Sequence, residues 1–336
     1  MAYVYLYGGA IGDALFGVHL GRALSETVPG STLTLISTRP NAFVRELVGG
    51  LPFISYHEVV RSNPLTWVPL WRLACGKNNI AVLEPSDIPV SFWWRTILRV
   101  SQLVPGGSEV HGYIAEHERA VRRSVHQITI TPEDNLFMTI VPRVLSSWGL
   151  SPVSVQPHLP RASCATVGKP YILFHFFAGS YRRSMPPEKV RPLLERAREV
   201  FPTYEFVLSA APAERSRAMS MIAGMANARI ESELSAQALL CLLQGATLVV
   251  AVASGIAHLA AHLDAPLIAL SNLSDPYWLP TYNSRVVILA DREHCRCRGN
   301  KSGDCSQTTA DGEVFRCLYY IPTDRIVDSM QSLLAH

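Results

Sequence analysis

What this sequence has little of narrows its reading first. Its charge is nearly balanced, with 30 Lys plus Arg against 27 Asp plus Glu and a formal net charge of +3 in 336 residues. Nucleic-acid binding leaves a basic footprint, so no nucleic-acid partner is expected. Charged residues make up only 17% of the chain while 48% are hydrophobic, which excludes global disorder. No uninterrupted hydrophobic run is present. The longest apolar stretch, residues 247–270, is broken by His258, His262, Asp264 and Pro266, whereas a membrane-spanning helix needs about 20 mostly apolar residues. The first basic residue is Arg22, after Asp13, so the basic start of a signal peptide is missing and a cytoplasmic chain is expected. Repeats and low-complexity tracts are absent as well. Cysteine is sparse: of seven, Cys75, Cys164 and Cys241 are scattered in apolar surroundings and read as buried free thiols.

What is present is a strand–helix alternation in two halves. Apolar residues 4–7 lead into Gly8, Gly9 and Gly12, then into a helical run over about 13–27. Further strands are expected at 33–37, 53–59 and 80–83, with helices at 40–47, 90–104 and up to Trp148-Gly149. Four prolines between 151 and 170 mark a linker. A second series follows, with strands at 171–176, 204–209, 248–252 and 266–270. Its helices are expected at 187–200, 212–225, 235–245 and 255–263, with a closing helix over 323–334. At about 150 residues per domain the length supports two domains. The pattern predicts an α/β chain of two Rossmann-like halves, 1–160 and 161–336, with a ligand cleft between them.

Four clusters fall where strands run into helices. Asp13 follows a glycine turn, where it either complements the helix N-terminus or acts as a base. Residues 175–188 join Gly179 and Ser180 to Arg182 and Arg183, and an arginine fork suits phosphate. Glu214, after Ala211-Pro212, is either a first-turn helix glutamate or a ribose-binding carboxylate. Ser254, Gly255 and His258 open a small-residue helix, where bare amides favour anions.

The series Gly12-Asp13, Gly179 through Glu188, Ala211-Pro212-Ala213-Glu214, Ser254 through Ala261 and Cys317-Leu318-Tyr319-Tyr320-Ile321 is similar to glycosyltransferase family 9, the bacterial heptosyltransferase family. The resemblance runs over nearly the whole chain and is strongest from 171 to 321. It implies the two-domain GT-B fold, with an acceptor-binding N-terminal domain and a nucleotide-sugar-binding C-terminal domain. It also implies an inverting transfer of a heptose-like sugar from a nucleotide diphosphate, an ADP-sugar being favoured. The acceptor would be a saccharide or lipid-linked saccharide of the lipopolysaccharide type. Asp13 would be the general base. Gly12, Gly179, Ser180, Arg183, Ser254, Gly255 and His258 would bind the donor, and Glu214 its ribose. No cofactor would be needed for catalysis. Two positions depart from the family pattern: Ala253 stands where an acidic residue is usual, and Met185 where Trp is usual. A nucleotide-sugar-binding homologue without turnover is one alternative. A nucleotide-dependent oxidoreductase, with Gly9, Gly12 and Gly17 as a loose dinucleotide turn, is the other.

Two features stand apart. Cys295, Cys297, Cys305 and Cys317 lie in the loop 291–321, where they are either structural zinc or iron ligands or reduced thiols. The aromatic-rich stretch 90–104 and Arg119, Arg122 and Arg123 read as a core helix and a solvated basic segment. Their functional reading is a face that meets a lipid-linked acceptor at the inner surface of the membrane.

Overall fold

A strand whose two faces are both covered by helices must be apolar throughout, and the first strand, β1 (Ala2–Tyr7), is buried from Val4 to Tyr7. The computed structural model describes residues 2–8, 10–37, 39–60, 63, 66, 68, 78–83, 109–115, 126–131, 133–164, 168–271, 276–291, 293 and 316–335. The chain separates into two compact units, Met1–Pro157 and His158–His336.

In the first unit β1 is followed by α1 (Ile11–Thr27), β2 (Leu33–Ser37), α2 (Ala42–Val48) and β3 (Ile54–Glu58). Then come β4 (Asn78–Leu83), β5 (Glu109–Ala115), β6 (His126–Ile130), a π-helical turn (Leu136–Ile140) and α3 (Val141–Ser147). All strand pairs are parallel, in the order β3-β2-β1-β4-β5-β6. Helix α1 is buried almost all round, from Ala14 to Leu24. Glycine allows that approach. A Cβ on Gly17 would stand 2.6 Å from the Tyr5 ring and 2.5 Å from Leu35, and one on Gly21 would stand 2.5 Å from Ile54. Gly17 is therefore a helix–sheet packing residue rather than part of a dinucleotide turn. Pro40 does not start α2; the Asn41 side chain caps it by accepting from the Val44 amide at 3.2 Å.

The second unit repeats the plan: β7 (Tyr171–His175), α4 (Pro187–Val200), β8 (Glu205–Ser209), α5 (Arg215–Ile222) and β9 (Ala228–Glu231). It continues with α6 (Ala236–Gly245), β10 (Leu248–Val252), α7 (Gly255–His262), β11 (Leu267–Leu270), β12 (Val286–Leu289), α8 (Arg316–Tyr319) and α9 (Thr323–Leu334). The order β12-β11-β10-β7-β8-β9 is again all parallel. Counted within its own unit, each sheet runs 3-2-1-4-5-6, the doubly wound Rossmann order. The α/β fold expected from the alternation is present in both halves. The helix expected over 212–225 is instead a 3-10 turn (Pro212–Glu214) followed by α5, which stops at Ile222. Strands β5, β6, β9 and β12 were not expected.

One cysteine reading is corrected. Cys164 and Cys241 are not buried free thiols but a disulfide, with Cα atoms 5.4 Å apart. Residues 158–164 lie as a strap along the second unit. Leu159 donates its amide to His262 O at 2.8 Å, His158 pairs with Asp264 at 3.4 Å, and the Ala162 amide donates to Gln244 Oε1 at 3.1 Å. Gln237, Cys241 and Gln244 form one stripe of α6 at i, i+4 and i+7. Leu239, Leu240 and Leu243 face the interior instead. Cys241 belongs to the outward stripe despite its apolar sequence neighbours. Cys75, the stretch 90–104, Arg119, Arg122 and Arg123, and Cys295, Cys297 and Cys305 lie outside the described residues.

Candidate functional site

In an open parallel sheet the carboxyl ends of the strands beside the point where strand order reverses face an open crevice. In the second unit that point lies between β10 and β7, which pair in parallel from Leu248↔Ile172 to Ala251↔His175. Strand β8 is the next neighbour of β7. The three second-unit clusters leave the ends of these three strands, so neighbouring origins are about 5 Å apart along the sheet.

The turn after β7 is held by its own residues. The Ala178 amide donates to Ser184 Oγ at 3.0 Å, and that hydroxyl donates to Ser180 O at 3.2 Å. The Met185 amide donates back to Phe176 O at 2.9 Å, and Met185 is buried. Gly179 is exposed at the tip. Arg183 folds over it: a Cβ built on Gly179 would lie 3.8 Å from Arg183 Nη2. A glycine amide and a guanidinium thus share one edge of the turn.

After β10 the chain passes extended through Ser254 into α7, with no side-chain cap on its first amides. Ser254 Oγ is shut from solvent and has no hydrogen-bond partner among the described residues. A buried hydroxyl without a partner is costly, and here it sits beside uncapped helix amides, where an anion would satisfy both. His258, one turn on, is 6% exposed and packs edge-on against Trp278, ring centroids 5.7 Å apart. Burial pushes its pKa down to about 4, so it is neutral at pH 7.

After β8, Glu214 ends the 3-10 turn and pairs with Arg217, Oε2 to Nη1 at 3.3 Å. Sequence reasoning missed Arg217 and also the His175–Ser209 contact, in which His175 Nδ1 lies 3.0 Å from both Ser209 O and Ser209 Oγ. Enclosure pushes the His175 pKa down to about 4. Arg217 belongs to no local motif, and the His175–Ser209 contact depends on the pairing of β7 with β8.

In the first unit Asp13 stands in the first turn of α1, half-buried. A Cβ on Gly8, just beyond β1, would lie 3.9 Å from Asp13 Oδ2, so glycine leaves room for the carboxylate at the strand end. Gly12 precedes it in the same turn. Beside it runs a polar chain, also unforeseen. Tyr7 and Tyr56 hydroxyls lie 3.5 Å apart, Tyr56 donates to Glu58 Oε1 at 3.1 Å, and Arg45 pairs with Glu58. Burial, the Tyr56 contact and the Asp13 charge all hold the Tyr7 proton on.

Residues 142–306 match the family model described as glycosyltransferase family 9 (heptosyltransferase). Over that segment, just under half of its length, the chain is similar to glycosyltransferase family 9. A curated protein, lipopolysaccharide heptosyltransferase 1 of Pseudomonas aeruginosa, is 28% identical over 177 residues, which are 51% of this chain and 50% of that protein. The match thus spans about half the length of that relative. The fold is seen again in the solved ADP-heptose lipopolysaccharide heptosyltransferase II of E. coli, with TM-score 0.68, 16% identity and coverage of 100% of this chain and 99% of that one. It recurs in the iron-containing dodecameric glycosyltransferase TibC of enterotoxigenic E. coli, with TM-score 0.59, 11% identity, and 99% and 76% of the two chains covered. The fold of this chain is therefore GT-B. Cys317 is buried in α8, and among the described residues there is no cluster of three His, Cys, Asp or Glu able to hold a metal. Among the described residues, too, no helix is long and apolar enough to cross a membrane.

Proposed function

We propose that this chain is an inverting glycosyltransferase of family 9 that moves a heptose-like sugar from a nucleotide diphosphate, an ADP-sugar by preference. Its acceptor is a saccharide or lipid-linked saccharide of the lipopolysaccharide type. The observation that carries the reading is the buried, partnerless Ser254 hydroxyl at the uncapped start of α7. It stands at the sheet's switch point, with Arg183 and Gly179 on the next strand's turn.

The chemistry follows from where charge develops. Breaking the sugar–phosphate bond leaves a nucleotide diphosphate with added negative charge. Fixed amides at Gly255 and Gly179, the hydroxyls of Ser254 and Ser180 and the Arg183 guanidinium stabilise that charge without a metal. Glu214 accepts from the ribose hydroxyls, and neutral His258 closes the inner wall. In the first unit Asp13 takes the proton of the acceptor hydroxyl as its oxygen attacks the anomeric carbon opposite the leaving group, which inverts that centre. The likeness to a lipopolysaccharide heptosyltransferase supports the acceptor class, and the likeness in fold to an ADP-heptose lipopolysaccharide heptosyltransferase of E. coli supports the donor. A cytoplasmic location, with contact at the inner membrane surface for a lipid-linked acceptor, belongs to the same proposal. A binding-only homologue predicts donor binding without transfer to any acceptor, and incubation with ADP-heptose and a lipopolysaccharide-core acceptor separates the two.

Arg183→Ala is expected to weaken ADP binding about tenfold or more while AMP binding changes little, because a charge-assisted bond to the outer phosphate is lost. Calorimetric titration of both nucleotides reads the difference. Equal losses would show that the guanidinium does not reach that phosphate.

The loop 291–321 adds a structural element to the proposal. Four thiols in Cys295, Cys297, Cys305 and Cys317 have the donor chemistry of a tetrahedral zinc or iron site, and the likeness to a glycosyltransferase described as iron-containing supports it. Purified protein is then expected to carry close to one equivalent of metal by elemental analysis. Its removal should loosen the loop and leave both α/β cores folded. Metal-free protein with four titratable thiols and an ordered loop would dispose of the site.

A further inference from the structure

Arg217 is a second-unit cation that the chemistry above leaves unused. It lies in the first turn of α5, yet its guanidinium reaches across to the turn after β7. Its Cζ is 4.8 Å from the Phe177 ring centroid and 4.7 Å from that of Tyr181. Phe177 and Tyr181 bracket Ala178, Gly179 and Ser180, so the guanidinium is clasped between the two ends of the proposed diphosphate turn. Tyr181 is 42% exposed and forms the outer cover. Arg217 Nη1 lies 3.3 Å from Glu214 Oε2, and the Arg217 side chain is only 22% exposed. Nε and Nη2 are shut from solvent without a hydrogen-bond partner among the described residues.

A guanidinium is a flat plate that stacks on aromatic rings through its faces and binds carboxylates through its edge. Arg217 uses both at once, and each use touches a different half of the proposed donor site. The stack sets where Gly179 and Ser180 stand relative to α5. The ion pair limits the rotamers of Glu214 and leaves Oε1 to accept from a ligand hydroxyl. Leaving two donors buried and unsatisfied is unfavourable for stability alone. The arrangement is explained when a bound ligand draws on the geometry it enforces.

We infer that Arg217 is the positioning residue that couples the diphosphate turn to the ribose carboxylate, so that a nucleoside diphosphate is held at both ends as one rigid unit. The inference rests on the donor reading above. It predicts a specificity effect that plain stabilisation does not: without Arg217, Glu214 is no longer aimed, and the preference for a ribose over a 2′-deoxyribose falls.

The test uses full-length protein and three probes: ADP, 2′-deoxy-ADP and AMP. Arg217→Ala is expected to weaken ADP binding about tenfold or more, the effect of losing a charged hydrogen-bond network, and to bring the ADP to 2′-deoxy-ADP ratio close to one. Arg217→Lys restores the charge beside Glu214 without the flat stacking surface. It should recover the ribose preference while the advantage of ADP over AMP stays reduced. In an Arg217→Ala, Glu214→Gln double variant the two losses should be clearly less than additive, because the residues act as one unit. Thermal melting of each variant, Arg217→Lys included, checks that the fold is kept. Wild-type affinity in Arg217→Ala would overturn the inference, as would equal loss of ADP and 2′-deoxy-ADP with their ratio unchanged. Absence of ADP binding in the wild type would instead overturn the donor reading on which it rests.

Discussion

Asp13→Asn is expected to lower sugar transfer by about 10²–10⁴-fold, the range for loss of a general base, while ADP binding stays near the wild-type value. The exchange keeps the shape of the side chain and the room that Gly8 leaves beside it. What it removes is basicity: an amide cannot take the acceptor's proton at neutral pH. The rival role for Asp13 is electrostatic, since it is the acidic residue in the first turn of α1. A carboxylate there contributes about 0.3–1 kcal/mol by complementing the helix dipole, and its loss would lower stability slightly without touching the rate. The two roles thus predict opposite observables. Single-turnover transfer at saturating donor, with a melting curve alongside, separates them. Unchanged transfer with a slightly lower melting point would reduce Asp13 to a helix-terminal charge. Donor binding is the internal control, because the residues proposed to hold the donor's diphosphate and ribose lie in the second unit, apart from Asp13.

Breaking the Cys164–Cys241 bond is expected to cost the second unit about 2–4 kcal/mol of unfolding free energy, the typical contribution of a disulfide. The sequence separation of 77 residues is long, and longer closed loops constrain the unfolded chain more. Urea melts with and without reductant measure the change. Cys241→Ser should lose the same amount and no longer respond to reductant. Transfer activity should change little, because the strap keeps its other anchors: Leu159 on His262, Ala162 on Gln244, and His158 beside Asp264. Two freely alkylated thiols at these positions in native, unreduced protein would remove the effect altogether. On the proposed cytoplasmic location the bond would not persist, so the stabilisation is expected only in protein kept free of reductant.

How far the site could be read in advance depended on how local its signals are. Asp13, Arg183, Glu214 and Ser254 each sit within a few residues of a glycine or proline turn at a strand end, so the short segment around each carries its own evidence. Arg217 carries none: in Arg215-Ser216-Arg217 it is one of two ordinary helix arginines. What singles it out is its stack on Phe177 and Tyr181, some 40 positions earlier in the chain. Tyr7, Tyr56 and Glu58 are similar, because their contact depends on β1, β2 and β3 lying side by side in register. Strand β9 escaped notice because its apolar–charged alternation, Ala228-Arg229-Ile230-Glu231, runs over only four residues, all of them half-buried.

The sequence by itself determined the α/β class and most of the described elements, including the closing helix at the bounds now observed, Thr323–Leu334. These follow from hydrophobic period and turn residues, which act over one or two turns of chain. Only the tertiary structure decided which strands are neighbours, and so which turns share an edge. The order β10-β7-β8 puts the Ser254, Arg183 and Glu214 segments side by side although nearly 80 positions separate the first from the last strand. It likewise decided that the strap lies on the outward stripe of α6 and that Cys164 meets Cys241. Both outcomes depend on contacts between distant segments, whose free energy comes from packing and pairing across the sheet rather than from the preferences of any one stretch.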